Sequence, residues 1–188
     1  MIFLLSAAIA SQCAVVSTHG HEIRHVSCEG DTYIAWGEGG SVRYHRSPPD
    51  FGGRHWSIVD TLDTTALTGG PSVGVVVSSF EGGSAGLHQL HELLIMEPDG
   101  VWMRERNRTT LAVLWLSKHP VLGTDPSAAR RLVPSIDGRQ LVLTPVQQEP
   151  ALLGVYDRSC ADCDPLHDVS ALAGRWVLQG DALARPAE

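Results

Sequence analysis

Gly30-Asp31-Thr32-Tyr33-Ile34-Ala35-Trp36-Gly37-Glu38-Gly39-Gly40-Ser41-Val42-Arg43-Tyr44-His45-Arg46-Ser47, running on through Pro48-Pro49-Asp50-Phe51-Gly52-Gly53-Arg54-His55-Trp56-Ser57, is the stretch on which the fold turns. Tyr33 to Trp36 is a β-branched and aromatic run that suits a pleated, half-buried surface. Gly37 to Gly40 supplies a turn, and Val42 to His45 alternates into a second strand. A Pro/Asp/Gly corner then ends on Trp56. The unit reads as two strands and a tight corner anchored by one large ring.

The rest of the chain has the same punctuation. At 188 residues and 43% hydrophobic content, with a mean hydropathy of -0.01, the chain can fill the core of one domain. Its 19 glycines and 11 prolines interrupt it often enough to favour many short strands over long helices. The expected class is all-β. Ser57 to Asp60, Gly74 to Phe80, Leu111 to Leu116 and Trp176 to Leu178 read as strands, and Gln140 to Thr144 reads as the partner of Leu152 to Tyr156. Leu87 to Met96 fits both a helical and a strand period. The turn signature Pro98-Asp99-Gly100 and the returning run Val101 to Met103 decide for a hairpin. Thr61 to Gly70 reads as a loop, and Ser117 to Pro134 as connecting material with one helical turn over Ser127 to Leu132.

The net charge of -7 and pI of 5.7 oppose a nucleic-acid partner, because phosphate binding needs a cationic face and no run of Lys or Arg supplies one. Solubility accounts for the acidity. Ile2 to Ala10 is a short apolar run, and Ala8-Ile9-Ala10 has the form of a secretory cleavage site. The expected organisation is a signal peptide over residues 1–10 and a single β-rich domain over 11–188, secreted or periplasmic. The run lacks a charged start, so the alternative is that Ile2 to Val16 is an ordinary buried strand; it is too short to span a bilayer. The 4 cysteines permit two disulfides in an oxidising compartment, and the simplest pairing is Cys13 with Cys28 and Cys160 with Cys163. Asn107-Arg108-Thr109 is a glycosylation sequon only in a eukaryotic host.

A weak internal repeat runs through this pattern. Thr32 to Ser47 leads through an acidic corner to Trp56, and Gln140 to Ser159 leads through a Cys/Asp/Pro corner to Trp176. Strand units that recur in this way point to propeller blades. At Ser47, Asp50, Gly52 and Trp56 the sequence resembles the Asp-box of sialidase-like (BNR-repeat) β-propellers, whose pattern is S-x-D-x-G-x-T-W. The spacing is one residue longer on each side of Asp50-Phe51-Gly52, and His55 stands where the pattern has Thr. The resemblance implies short antiparallel strands arranged as three or four propeller-like blades, a partial or small propeller; a β-sandwich is the alternative. It also implies structural roles for the box. The Ser47 and Asp50 oxygens would satisfy backbone N–H groups of a hairpin, Gly52 would take a positive φ, and Trp56 would bury its ring between sheets. None of the four is a catalytic group.

Rival chemistry is present in outline. His21-Glu22-Ile23-Arg24-His25 has the form H-E-x-x-H, in which two histidines one helical turn apart hold zinc and the glutamate activates water. The motif needs a helix. Gly20 in front and Cys28-Glu29-Gly30 behind favour a strand with exposed histidines instead, and His88 and His91 read as surface residues. Cys160-Ala161-Asp162-Cys163 with His167 has the spacing of a zinc knuckle or redox pair but lacks a second C-x-x-C. No glycine-rich phosphate loop follows a strand, and Ser84 and Ser117 lack a nucleophile elbow. The resulting expectation is an exported sialidase/BNR-like module that binds carbohydrate or another protein, or serves as structure, without catalysis or cofactor of its own. The alternatives are a zinc-dependent hydrolase using His21 and His25, or a glycosidase-related fragment of a longer propeller.

Overall fold

The structure, a computed structural model, describes residues 13–38, 41–46, 55–82, 86–117, 130–147 and 169–186. The expected signal peptide, the corner residues Ser47, Asp50 and Gly52, the strand expected at Leu152 to Tyr156 and the Cys160 to Cys163 pair lie outside these residues. Among the described residues the chain is all-β, with a four-residue helix, α1 (Thr65–Thr68), and a 3-10 turn at Val169–Leu172.

The described strands group into three antiparallel meanders of four. The first is β1 (Cys13–Thr18), β2 (Ile23–Cys28), β3 (Asp31–Trp36) and β4 (Arg43–Arg46). The second is β5 (His55–Asp63), β6 (Val73–Gly82), β7 (Gly86–Asp99) and β8 (Trp102–Ser117). The third is β9 (Arg130–Asp137), β10 (Gln140–Gln147), β11 (Gly174–Gln179) and β12 (Ala182–Ala184). Gly37, at φ 96°, and Gly100, at φ 62°, reverse the chain after β3 and β7. A side chain at either position would meet the steric cost of the left-handed region.

The first two meanders fuse. β4 lies parallel to β8, with Tyr44 opposite Trp102, which gives one eight-stranded sheet in the order β1-β2-β3-β4-β8-β7-β6-β5. In a flat sheet of that order β2 and β5 would be six spacings apart, about 29 Å at about 4.8 Å per strand. Yet the ring centroids of His25 on β2 and Trp56 on β5 are 4.0 Å apart. A Cβ on Gly20, between β1 and β2, would come within 2.9 Å of Thr61 Oγ1 on β5. The sheet is therefore curled into a half-barrel. Register shifts at Val15/Ser17, Ile58/Asp60, His91/Glu92 and Ile95/Met96 tighten the local twist that curling needs.

Both faces of the central strands are covered, so their sequences are apolar without alternation. Ile23, Ile34, Ile58, Val73, Val75, Val77, Leu94, Met96 and Met103 fill the concave side, with Trp36 and Trp56 packed against them. On the convex side Val76, Leu93, Ile95 and Leu111 meet Leu132, Leu141 and Leu143 of the third meander, together with Leu67 of α1 and Val169. That contact is sheet on sheet, the local packing of a sandwich. A smaller cluster of Val26, Cys28, Ala35 and Tyr44 lies on the outer face of the first meander. A Cys13–Cys28 disulfide joins residues directly opposite each other in the β1–β2 ladder.

Several expectations need correction. Thr65 to Thr68 is helical rather than loop. Leu111 to Leu116 continues the strand that starts at Trp102. Arg130 to Pro134, expected as connecting material, belongs to β9, an edge strand where a proline is tolerated. β10 is paired by β9 and β11 on its two sides.

Candidate functional site

The register aligns His25, Ile34 and His45 in one row across β2, β3 and β4. Strand alternation turns this row to the concave side, since Ile34 is part of the concave core. β4 delivers His45 to β8, where its Nδ1 is 3.4 Å from the Met103 carbonyl oxygen. A carbonyl only accepts, so Nδ1 carries the proton in that contact and the Nε2 lone pair faces Glu105 Oε2 at 3.7 Å.

Glu105 is clamped by Arg108 through two hydrogen bonds, Nε to Oε1 at 3.0 Å and Nη2 to Oε2 at 2.7 Å. The third arm of the same guanidinium reaches Glu92 Oε2 on β7 at 3.4 Å. Glu92 is 8% exposed. A planar guanidinium with donors in a fixed fork grips Glu105 in a bidentate fashion while its third arm reaches Glu92, a geometry that Lys does not offer. The hydrogen bond to Glu105 raises the Arg108 pKa, against an opposing effect of burial, with smaller contributions from the charges of Glu105 and Glu92. His45 titrates below its ordinary value chiefly because it is desolvated; the Met103 carbonyl and Glu105 pull upward, and Arg108 pushes down. The cluster can accept one proton, at His45 Nε2, and share it with Glu105. It presents no nucleophile.

At the closing seam of the half-barrel, the Trp56 ring is tilted 34° over His25 and its Nε1 donates to Thr32 Oγ1 at 3.0 Å. His25 is 9% exposed, and its buried Nε2 has no hydrogen-bond partner among the described residues. Trp56 thus joins β5 to β2 and β3.

The H-E-x-x-H residues are not on a helix. His21 and Glu22 stand in the β1–β2 turn at φ 54° and 58°, and His25 lies two residues into β2. Among the described residues no group of three or more His, Cys, Asp and Glu side chains is arranged to hold a metal ion. His25 and His91 are both buried, not surface groups. The sequon asparagine is engaged. Asn107 Nδ2, the atom that a glycan would modify, donates to the Asp181 carbonyl at 3.0 Å. It belongs to a dock in which Arg106 reaches Glu97, Asp181 and the Gly180 carbonyl and Arg104 reaches Glu97 and Asp181, fixing the β11–β12 turn to β7 and β8 of the eight-stranded sheet.

The sequence reading missed His45, Glu92, Glu105 and Arg108 as a group. They sit on three strands, and no local spacing connects His45 to Glu105. The one available signal was the presence of Glu92 in the apolar run Leu90 to Met96, where a buried carboxylate requires a cationic partner. No protein-family model, curated protein or solved structure matches this chain.

Proposed function

We propose that the chain is an exported, sialidase/BNR-like β-module that binds a carbohydrate or protein partner and performs no catalysis of its own. The observation that supports this reading is that the described strands fall into three four-stranded antiparallel meanders, a strand order shared with propeller blades, although the first two are fused into one sheet. The Cys13–Cys28 disulfide supports an oxidising compartment, secreted or periplasmic. The concave cluster also fits positioning better than chemistry, because a carboxylate chelated by a guanidinium is held as an anion rather than poised to give up a proton.

The test uses the purified full chain against an immobilised glycoprotein bearing sialylated glycans and against its desialylated form. Saturable binding with no release of free sugar is the expected result. Turnover of a fluorogenic sialoside would replace the module with a glycosidase, and absence of binding to both surfaces would overturn the carbohydrate-binding form of the reading.

A further inference from the structure

We propose that the seam between β2 and β5 is a proton-operated latch: the half-barrel stays shut while the His25 imidazole is neutral and opens along β5 when that ring takes a proton. Among the described residues, the curled sheet meets itself at this seam without a backbone ladder, since β5 is hydrogen-bonded to β6 and β2 to β1 and β3 in the sheet order. What joins the two strands is side chain on side chain. Trp56 lies against His25 at 4.0 Å and bonds to Thr32, and the turn at Gly20 rests against Thr61.

A proton on His25 enters an unfavourable place. Nε2 is buried and has no hydrogen-bond partner among the described residues, so the protonated ring would carry an unmatched N–H and a poorly compensated charge. The groups facing it do not offset this. From β5 comes the neutral indole of Trp56, and from β3 comes Ile34, directly opposite in the ladder. From the β1–β2 turn comes His19, which is hydrogen-bonded to Ser17 and opposes a second positive charge. The carboxylates of β5 point their interactions elsewhere. Asp63 accepts from the Thr65 backbone and lies in the field of His21, and Asp60 accepts from the Thr61 backbone. The Trp56 face offers some cation–π attraction, yet burial dominates and holds the His25 pKa below its ordinary value, with His19 adding to the effect.

A ring whose pKa is lowered in the closed state closes the latch fully above its free value of about 6.5. It releases the latch progressively as pH falls toward the lowered, closed-state value. The opening constant of the seam therefore rises by up to about tenfold per pH unit within that window. Opening need not unfold the molecule, because no buried residue of the convex core lies on β2 or β5; of β5, Leu62 packs against that core while half-buried.

Hydrogen exchange on the full chain, corrected for the intrinsic pH dependence of exchange, tests this at pH 7.5 and pH 5.0. The expected result is faster acid exchange in peptides covering residues 55–63 and 23–28 and no matching change in β10. His25→Phe, which keeps an apolar ring against Trp56, should abolish the acid response of those peptides. An equal acid response in that variant, or none in the wild type, would overturn the proposal. Should the variant fail to fold, an NMR titration of wild-type His25 decides: a pKa below that of a free histidine sustains the latch, and one at or above it removes it.

Discussion

Trp56→Ala is the most informative single substitution, because that ring is the main tie across the half-barrel seam. It removes an indole stacked on His25, packed against the concave core and bonded to Thr32. Full burial of a tryptophan is worth about 3–5 kcal/mol on truncation. Trp56 is only half-buried, so the expected loss is near the lower end, about 3 kcal/mol. For a chain of this size that corresponds to a fall in Tm of roughly 6–12 °C. Trp56→Phe keeps a ring in the seam and loses the Nε1–H to Thr32 bond, for a cost of about 1 kcal/mol. A double-mutant cycle with Thr32→Val isolates that bond from the packing. Urea unfolding followed by far-UV circular dichroism reads all five proteins: wild type, Trp56→Ala, Trp56→Phe, Thr32→Val and the Trp56→Phe/Thr32→Val double mutant. A loss below about 1 kcal/mol in Trp56→Ala, with an unchanged denaturant slope, would refute the placement of this ring as a tie between strands.

Three other outcomes follow from the same geometry. Reducing Cys13–Cys28, a bridge of sequence separation 15, should cost up to about 3 kcal/mol; because β1 is largely exposed, thiol trapping should show the loss confined to that edge strand. Arg108→Met should destabilise by roughly 2 kcal/mol, since it removes the two charge-assisted hydrogen bonds to Glu105 and the longer one to Glu92, and NMR should show the His45 pKa moving upward as a depressing charge is removed. His25, His45 and His91 all titrate below the ordinary histidine value, in each case chiefly through burial; each contributes stability that is complete above about pH 6.5 and is lost as pH falls through the folded value, so urea midpoints should drop between about pH 6.5 and 5.

The parts of the fold that were legible in the sequence are those that local chemistry determines. Tyr33 to Trp36, the Gly37 turn and Val42 to His45 gave β3 and β4 because alternation and a positive-φ glycine act within a few residues. Pro98-Asp99-Gly100 resolved the Leu87 to Met96 ambiguity for the same reason. The ambiguity itself came from burial on both faces, which erases the period-two signal in a central strand. Long-range organisation was hidden. A single parallel pair, Tyr44 with Trp102, fuses two meanders into one sheet, and nothing near either residue announces the other. β9 was concealed by Pro134, which is compatible with a strand only because β9 is an edge.

The candidate site was hidden for the same physical reason. His45, Glu105, Arg108 and Glu92 become neighbours only through the β4–β8 junction and the β7–β8 hairpin. The H-E-x-x-H pattern was the converse case, conspicuous in sequence and without its helix in three dimensions. His21 and Glu22 form a turn, while His25 enters a strand whose alternation points it at Trp56.

The central claim is that the eight-stranded sheet curls until β2 meets β5. The direct measurement is a nuclear Overhauser contact between the ring protons of His25 and those of the Trp56 indole in the folded protein at pH 7.5. A centroid separation of 4.0 Å predicts strong cross-peaks. Their absence, with both rings assigned and the β2–β3 and β5–β6 ladders intact, would mean an open sheet and contradict the half-barrel.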